Sequence, residues 1–211
     1  MNASGTKRAG VVLCGGASRR MGQAKAGLEW AGRTFLAHIL ETLEPIVDQR
    51  VVVAAVEQSL DGLPPSVRVL RDVNSHEGPL VALGLALTEL MGTADAVFLT
   101  GCDNPLLPGI VVRELFERLE TFDAVMLTGE DGLPRPLTAV YRPATCARLV
   151  QELVATSERR LRAVVPRLRT HLIPFSELQR IDPQLHALAN INTPEDYEAA
   201  LATWRTISRA D

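Results

Sequence analysis

A short segment near the amino terminus combines adjacent glycines with closely spaced cations. Gly15 and Gly16 directly follow the apolar run 9–14. The cations that come next fall within seven residues: Arg19, Arg20 and Lys25. Adjacent glycines let the backbone turn sharply and approach a ligand, and consecutive backbone N–H groups can form an anion-binding nest. Because arginine adds bidentate contacts and lysine a mobile charge, the segment indicates phosphate binding, with a tight turn carrying solvated basic residues as the alternative.

The segment lacks the spacing of two common phosphate-binding motifs. Lys25 is followed by Ala26, so the pattern is not GxxxxGK[ST], and the glycines do not form GxGxxG. A P-loop ATPase and a Rossmann dehydrogenase are therefore disfavoured. The chain also lacks a GxSxG or Cys/His signature for covalent catalysis.

An aspartate follows the fourth predicted strand. Asp103 comes after the strand 95–100 and precedes Asn104 and Pro105. Mg²⁺ takes one or two carboxylates and fills its other positions with phosphate oxygens and water. Asp103 is therefore a candidate metal ligand, and a helix cap or turn residue is the alternative, since Asp-Asn-Pro favours turns.

The elements that would position these residues alternate along the chain. Apolar strand patterns cover 9–14, 50–56, 67–70, 95–100, 123–128, 137–141 and 171–174. Helical patterns run from the predicted N-cap Thr34 to Pro45, over 80–91, from Pro108 to Leu119, and over 144–155, 158–168 and 194–206. This alternation predicts right-handed βαβ crossovers and a mostly parallel sheet. Ligands bind at the carboxyl ends of such strands, so the loops after strands one, three and four should hold the chemistry.

A basic segment in the carboxyl third suggests a second anion site. Ser157 is the predicted N-cap of helix 158–168, whose first turns carry three arginines, Arg159, Arg160 and Arg162. Cations at a helix amino terminus oppose the macrodipole, which favours an anionic ligand such as the phosphate of an acceptor. A solvated basic face with Glu158 as a partner is the alternative.

The length and composition of the chain limit the kinds of partner that it can bind. The 211 residues suit one α/β domain over 1–211, and the formal net charge of −3 gives no reason to coat nucleic acid or an acidic membrane. The three cysteines show neither disulfide nor zinc spacing. No apolar stretch reaches the ~20 residues of a membrane span, and no signal peptide is evident. We expect a cytoplasmic monomer or small homo-oligomer that binds neither nucleic acid nor membrane.

The stretch 13–25, LCGGASRRMGQAK, resembles the LAGGxSxRMGxxK signature of cofactor and sugar nucleotidyltransferases. Its Gly-Gly and Met-Gly pairs particularly resemble the molybdenum cofactor guanylyltransferases. Further matches follow in the family's order: Arg-Asp at 71–72, Gly-Pro-Leu at 78–80, Cys-Asp-Asn-Pro at 102–105 and Asn-Ile-Asn-Thr-Pro-Glu-Asp at 190–196. Three positions depart from the pattern. Cys14 stands where Ala is usual, Ala24 replaces the Asp before the lysine, and Ala54 stands where the guanylyltransferases often have an Asn that contacts the nucleotide.

The resemblance implies a Rossmann-like three-layer α/β/α fold of the nucleotide-diphospho-sugar transferase type. A nucleotide half at 8–105 and an acceptor half at 106–211 are expected. It implies that GMP passes from GTP to the phosphate of molybdenum-bearing molybdopterin, with Mg²⁺ or alternatively Mn²⁺. A CTP-dependent cytidylyltransferase is an alternative, although those relatives usually show LAAG and a Pro before the lysine. A sugar-phosphate nucleotidyltransferase is more distant, and a non-catalytic nucleotide- or cofactor-binding module is the non-enzyme alternative.

The resemblance also assigns roles to residues. The implied catalytic residues are Lys25, Arg20 and Asp103, with the choice between Arg19 and Arg20 open. The implied nucleotide-binding residues are Leu13, Cys14, Gly15, Gly16, Lys25, Asp72 and Asp103. Asp103 is the implied metal ligand, and the implied acceptor-binding residues are Arg159, Arg160, Asn190 and Asn192. Other proteins of molybdenum cofactor synthesis are expected partners.

Overall fold

The strands form a seven-stranded sheet and a separate hairpin in the computed structural model, which describes residues 5–14, 27–72 and 78–207. They are β1 (Arg8–Leu13), β2 (Glu29–Trp30), β3 (Arg33–Thr34), β4 (Gln49–Ala55), β5 (Val67–Asp72), β6 (Ala96–Gly101), β7 (Ala124–Thr128), β8 (Pro134–Tyr141) and β9 (Thr170–Ile173). β2 and β3 form the hairpin, and the large sheet has the order β5-β4-β1-β6-β8-β7-β9. β8 is antiparallel to β6 and β7, and the other neighbours are parallel. The predicted mostly parallel sheet is confirmed.

Helices cover both faces of the large sheet. They are α1 (Phe35–Leu43), α2 (Pro79–Leu90), α3 (Gly109–Glu117), α4 (Pro143–Ala155), α5 (Phe175–Ile181) and α6 (Pro194–Ile207), with 3₁₀ helices at Leu161–Arg167 and His186–Leu188. Apolar residues of α1, α3 and α5 form one core cluster with the sheet, and those of α2 and α4 form another. The expected three-layer arrangement is confirmed. Among the described residues, no helix is both long and apolar enough to cross a membrane.

The central strand β1 shows why both faces need helices. Val12 belongs to the core cluster of α1 and α3, whereas Val11 belongs to that of α2 and α4, and both are fully buried. Successive strand residues point to opposite faces, so a strand that is apolar throughout requires a cover on each side.

Helix α2 covers one of these faces and packs closely against α4. Its residue Leu83 is fully buried in the same core cluster as Val11. Gly84 lets this helix approach α4 closely, because a Cβ there would lie 3.1 Å from Val150 Cγ1.

Two predicted helix starts are confirmed by their capping bonds. The Ala37 N–H donates to Thr34 Oγ1 at 3.2 Å, which caps α1. At α6 the Asp196 N–H donates to Thr193 Oγ1 at 3.1 Å, and the Thr193 N–H donates to Asp196 Oδ2 at 2.9 Å. This reciprocal pair is a capping box with Asp in the usual place of Glu.

The predicted helix 158–168 is wrong. Ser157 has φ of 65° and does not cap a helix, and a 3₁₀ helix begins later, over Leu161–Arg167. The Glu158 carboxylate accepts from the next two backbone N–H groups at 2.9 Å each, which stabilises a turn here. Pro166 lies inside the 3₁₀ helix and has no N–H for an α-helical bond. The predicted conflict between the arginines and an α-helix dipole therefore does not exist.

Candidate active site

The carboxyl end of β1 is fixed by both neighbouring strands. The Cys14 N–H donates to Val53 O at 2.8 Å, and the Cys102 N–H donates to Leu13 O at 3.1 Å. These bonds place Leu13 and Cys14 at the edge where ligands bind in open α/β sheets. Because the Cys14 N–H is taken and its side chain is buried, only its carbonyl oxygen is left to meet a nucleotide.

The loop that follows β1 carries several predicted site residues. The predicted phosphate-binding and catalytic residues Gly15, Gly16, Arg20 and Lys25 lie outside the described residues. Their roles stay predictions from the sequence.

Cys14 and Cys102 lie side by side beneath this edge. Both are buried, at 4% and 7% exposure, and they follow the register pair Leu13 and Gly101 of β1 and β6. A hydrogen bond with the Cys102 thiol, together with burial, raises the pKa of Cys14 well above its ordinary value. The Cys14 thiol therefore stays protonated at neutral pH and packs against Cys102, which explains how the chain accommodates Cys14 where the family pattern has Ala.

Asp103 lies on the turn after β6, and its carboxylate folds back over the end of that strand. A Cβ on Gly101 would lie 2.7 Å from Asp103 Oδ1. Glycine at 101 therefore leaves the space that the carboxylate occupies. The described residues hold no group of three or more His, Cys, Asp and Glu side chains that could enclose a metal. A single carboxylate fits Mg²⁺ held mainly by substrate phosphates and water.

The turn at Asp103 is bonded to the segment before α6. The Ile191 N–H donates to Asp103 O at 2.8 Å, and Asn104 Nδ2 donates to His186 O at 2.9 Å. These bonds bring Asn190 to the same cavity as Asp103. The exposed Asn192 side chain donates to the Asn190 carbonyl at 3.4 Å, so Asn190 lines the cavity with the predicted metal ligand and Asn192 contacts Asn190.

Asp72 lies at the same edge of the sheet but three strands away from β6. It ends β5 and pairs with Ala55 of β4. Three interstrand spacings of about 4.8 Å separate the β5 and β6 positions by roughly 14 Å. Asp72 and Asp103 can therefore contact different parts of one extended nucleotide. Ala54, one of the departures from the family pattern, is fully buried in the core.

The predicted acceptor arginines already interact with protein groups. Arg160 Nε and Nη2 donate to the two oxygens of Glu158 at 3.1 and 3.0 Å. These side-chain bonds, with those from the backbone N–H groups of Arg160 and Arg159, lower the pKa of Glu158 to about 2. Arg159 Nη1 donates to the Val154 and Glu158 carbonyls.

The segment at Arg159 packs against the amino terminus of α2. Gly78 precedes this helix with φ of 101°, and a Cβ there would lie 2.9 Å from Arg159 O. The glycine of the Gly-Pro-Leu motif therefore permits both an unusual backbone angle and a close contact with the predicted acceptor segment.

Two arginines line a cavity of about 240 Å³ beside Asp103. Arg162 belongs to the predicted basic segment, whereas the sequence motifs missed Arg135. Charged and polar residues contribute part of its wall: Asp103, Arg135, Thr138, Arg162 and Asn190. Arg135 lies on β8, which reaches β6 through antiparallel pairing of strands that are distant in sequence. Because this pairing leaves no pattern in the local sequence, the motifs did not indicate Arg135.

Known proteins resemble this chain along most of its length. The family model described as "MobA-like NTP transferase domain" matches residues 10–172. A probable molybdenum cofactor guanylyltransferase of Carboxydothermus hydrogenoformans is 31% identical over 192 residues, covering 90% of this chain and 93% of its own. Another from Mycobacterium avium is 34% identical, with 90% and 93% covered.

Solved structures share the fold. The molybdopterin-guanine dinucleotide biosynthesis protein A of Archaeoglobus fulgidus superposes with a TM-score of 0.79 at 24% identity, covering 94% of this chain and 99% of that one. The 4-diphosphocytidyl-2C-methyl-D-erythritol synthase of Anaerococcus prevotii gives 0.68 at 13% identity, with 95% and 99% covered. These likenesses show the nucleotide-diphospho-sugar transferase fold. With the family match and the sequence relatives, they establish that this chain belongs to the MobA-like NTP transferase family.

Proposed function

We propose that this protein transfers GMP from GTP to the phosphate of molybdenum-bearing molybdopterin, releasing pyrophosphate. The observation that carries the proposal is the hydrogen bond between Ile191 N–H and Asp103 O. It joins the turn of the candidate metal ligand to the asparagine segment expected to meet the acceptor. Support also comes from relatives at 30% identity or more, which carry the name molybdenum cofactor guanylyltransferase.

The reaction needs no covalent enzyme intermediate. An oxygen of the acceptor phosphate attacks the α-phosphorus of GTP, a new P–O bond forms, and the bond to the β-phosphate oxygen breaks as pyrophosphate leaves. The protein then contributes positioning and charge neutralisation. The backbone at Gly15 and Gly16 would hold the triphosphate, and Lys25 and Arg20 would neutralise the charge that develops on it.

Asp103 is the residue that would hold Mg²⁺, with Mn²⁺ as the alternative ion. Bound there, the ion would neutralise negative charge on phosphate oxygens. Asp103 suits this role because it stands on a turn at the carboxyl edge and faces a cavity.

The guanosine end of the nucleotide would lie toward β5. Asp72, at the end of β5, would accept hydrogen bonds from the guanine N1–H and amino group or from ribose hydroxyls. Leu13 and Cys14 would meet the nucleotide through their backbone. On the other side of Asp103, Asn190, Asn192, Arg159 and Arg160 would meet the acceptor, with proteins of molybdenum cofactor synthesis as partners that deliver or receive it.

A thermal-shift series with GTP, CTP, ATP and UTP, each with and without Mg²⁺, tests the nucleotide. A ligand that binds only the folded state raises its stability by RT ln(1 + [L]/Kd). A magnesium-enhanced shift selective for GTP, followed by pyrophosphate release with molybdopterin, is the expected result. Selectivity for CTP would instead indicate a cytidylyltransferase, and binding without pyrophosphate release would indicate a non-catalytic binding module.

A further inference from the structure

We infer that Arg135 and Arg162 bind the phosphate of the acceptor in the cavity beside Asp103. The inference rests on the proposed function and deepens it, because it adds Arg135, which lies outside every motif found in the sequence, and selects Arg162 from the predicted basic segment. Arg135 lies on β8, and Arg162 lies in the 3₁₀ helix Leu161–Arg167.

The cavity lies where β8 separates from β6 while it stays paired with β7. β6 and β8 pair as far as Leu99 and Ala139, so the end of β6 beyond Leu99 has no partner in β8. On the other side of β8, the register with β7 jumps from Ala139 to Arg135, and residues 136–138 bulge out. The bulge is anchored where the buried Tyr141 hydroxyl donates to Pro136 O at 2.7 Å. Bulges of this kind redirect side chains beside active sites, and here Arg135 and the bulged residues line the cavity.

The Arg135 guanidinium is held in place before any ligand arrives. Its Nη2 donates to Asp131 Oδ1 at 2.9 Å, and the same oxygen accepts from the Leu133 N–H at 3.0 Å. The guanidinium also lies directly on Gly129, where any side chain would overlap it. A guanidinium has five N–H donors, so the bond to Asp131 leaves donors for an anion. Because the group is already ordered, binding costs less side-chain entropy.

The charge of this wall suits a phosphate. Arg162 and Arg135 supply two cations to the cavity wall, against one lining carboxylate, that of Asp103. The Asp131 carboxylate pairs with Arg135 and braces it. The pKa of Asp131 is lowered mainly by the Leu133 N–H, with contributions from Arg135 and Arg162. Asp131 therefore remains a carboxylate at neutral pH and keeps Arg135 in position. Arginine pairs bind phosphate oxygens with charge-assisted, often bidentate, hydrogen bonds.

The position in the sheet favours the acceptor over the triphosphate as the ligand. Strand order places Asp72 on β5, then β4 and β1, then Asp103 after β6, and Arg135 on β8. A nucleotide that reaches from Asp72 to Asp103 leaves the β8 side open for the second substrate. In-line displacement requires the attacking and leaving oxygens on opposite sides of the α-phosphorus, so the acceptor phosphate would enter from the cavity beyond Asp103.

Anaerobic binding and transfer assays with molybdopterin test the assignment. Arg135→Gln should raise the Kd and KM for molybdopterin by about 10- to 100-fold, the loss expected for charge-assisted hydrogen bonds. The Kd for GTP should stay within about twofold. Arg162→Gln should act in the same direction, and Arg135→Lys should restore part of the affinity because it keeps charge but not the planar fork. Asp131→Asn should weaken molybdopterin binding less, since it only loosens Arg135.

The matched control is Arg148→Gln, which removes an arginine from α4 that is 88% exposed and paired with Glu152. It should leave both Kd values unchanged. An unchanged molybdopterin Kd in folded Arg135→Gln, an equal rise in the GTP Kd, or no binding of molybdopterin to the wild-type protein would overturn the assignment. If wild-type protein binds molybdopterin but transfers no GMP, the proposed function fails, while the effect of Arg135→Gln on binding still decides the inference.

Discussion

The backbone N–H of Ile191 donates to the carbonyl oxygen of Asp103 at 2.8 Å, which ties the turn after β6 to the segment before α6. Ile191 is itself buried in the small core formed by the β2–β3 hairpin and α6. The position of the candidate metal ligand therefore depends on packing at the carboxyl end of the chain.

Asp103→Asn should abolish most of the nucleotidyl transfer without unfolding the protein. The change keeps the side-chain shape but removes the charge that would hold the metal. Loss of one preorganised electrostatic contact costs on the order of 10²–10³ in kcat. Steady-state kinetics across a Mg²⁺ titration measure the effect, with the exposed Asp61→Asn as a control of equal charge change. Full activity in folded Asp103→Asn would remove this residue from the site.

Gly101→Ala should lower kcat by displacing the Asp103 carboxylate. The added Cβ would lie 2.7 Å from Asp103 Oδ1, and a shift of about 1 Å in a reacting group can cost about 10² in rate. The double variant with Asp103→Asn separates this cause from general damage. If Gly101→Ala acts through the carboxylate, it should add little further loss in the Asp103→Asn background. If the two losses of kcat multiply in the double variant, Gly101→Ala acts independently of the Asp103 carboxylate.

Gly78→Ala should destabilise the protein more than Gly62→Ala. Both glycines have positive φ, 101° and 75°, so both replacements carry backbone strain of about 1–3 kcal/mol. Only Gly78 faces a close neighbour, the backbone oxygen of Arg159, whereas a Cβ on Gly62 meets nothing within 4 Å. Urea unfolding compares the two variants. Equal losses of unfolding free energy would mean that the contact with Arg159 relaxes without cost.

The Glu158 carboxyl should titrate near pH 2. Its pKa is lowered to about 2, first by the Arg160 side chain. Since the folded pKa is depressed, its stabilising effect is present above the ordinary value of about 4.5 and is lost as the pH falls toward 2. NMR titration of the carboxyl carbon measures the midpoint, and Arg160→Gln should move it back toward 4.5. A wild-type midpoint close to the ordinary value would contradict the pairing.

Local sequence patterns predicted most of the strands and helices that form the three layers of this protein. The apolar runs that became β1 and β6, and the caps at Thr34 and Thr193, depend on residues within a few positions of one another. Periodicity and capping are local properties, so they can be read from the chain directly. For the same reason, Asp103 could be placed at the carboxyl end of a strand before the fold was known.

Only the tertiary structure decided the conformation at Ser157 and the make-up of the cavity beside Asp103. Local sequence predicts Ser157 as a helix N-cap, but the Glu158 carboxylate stabilises a turn there. The sequence also left Arg135 unremarked, because its place beside Asp103 depends on β8 pairing antiparallel with β6 and then separating from it. Strand pairing is chosen by the packing of distant side chains in a shared core. The residues around the cavity are consequently joined by the fold and not by any spacing along the chain.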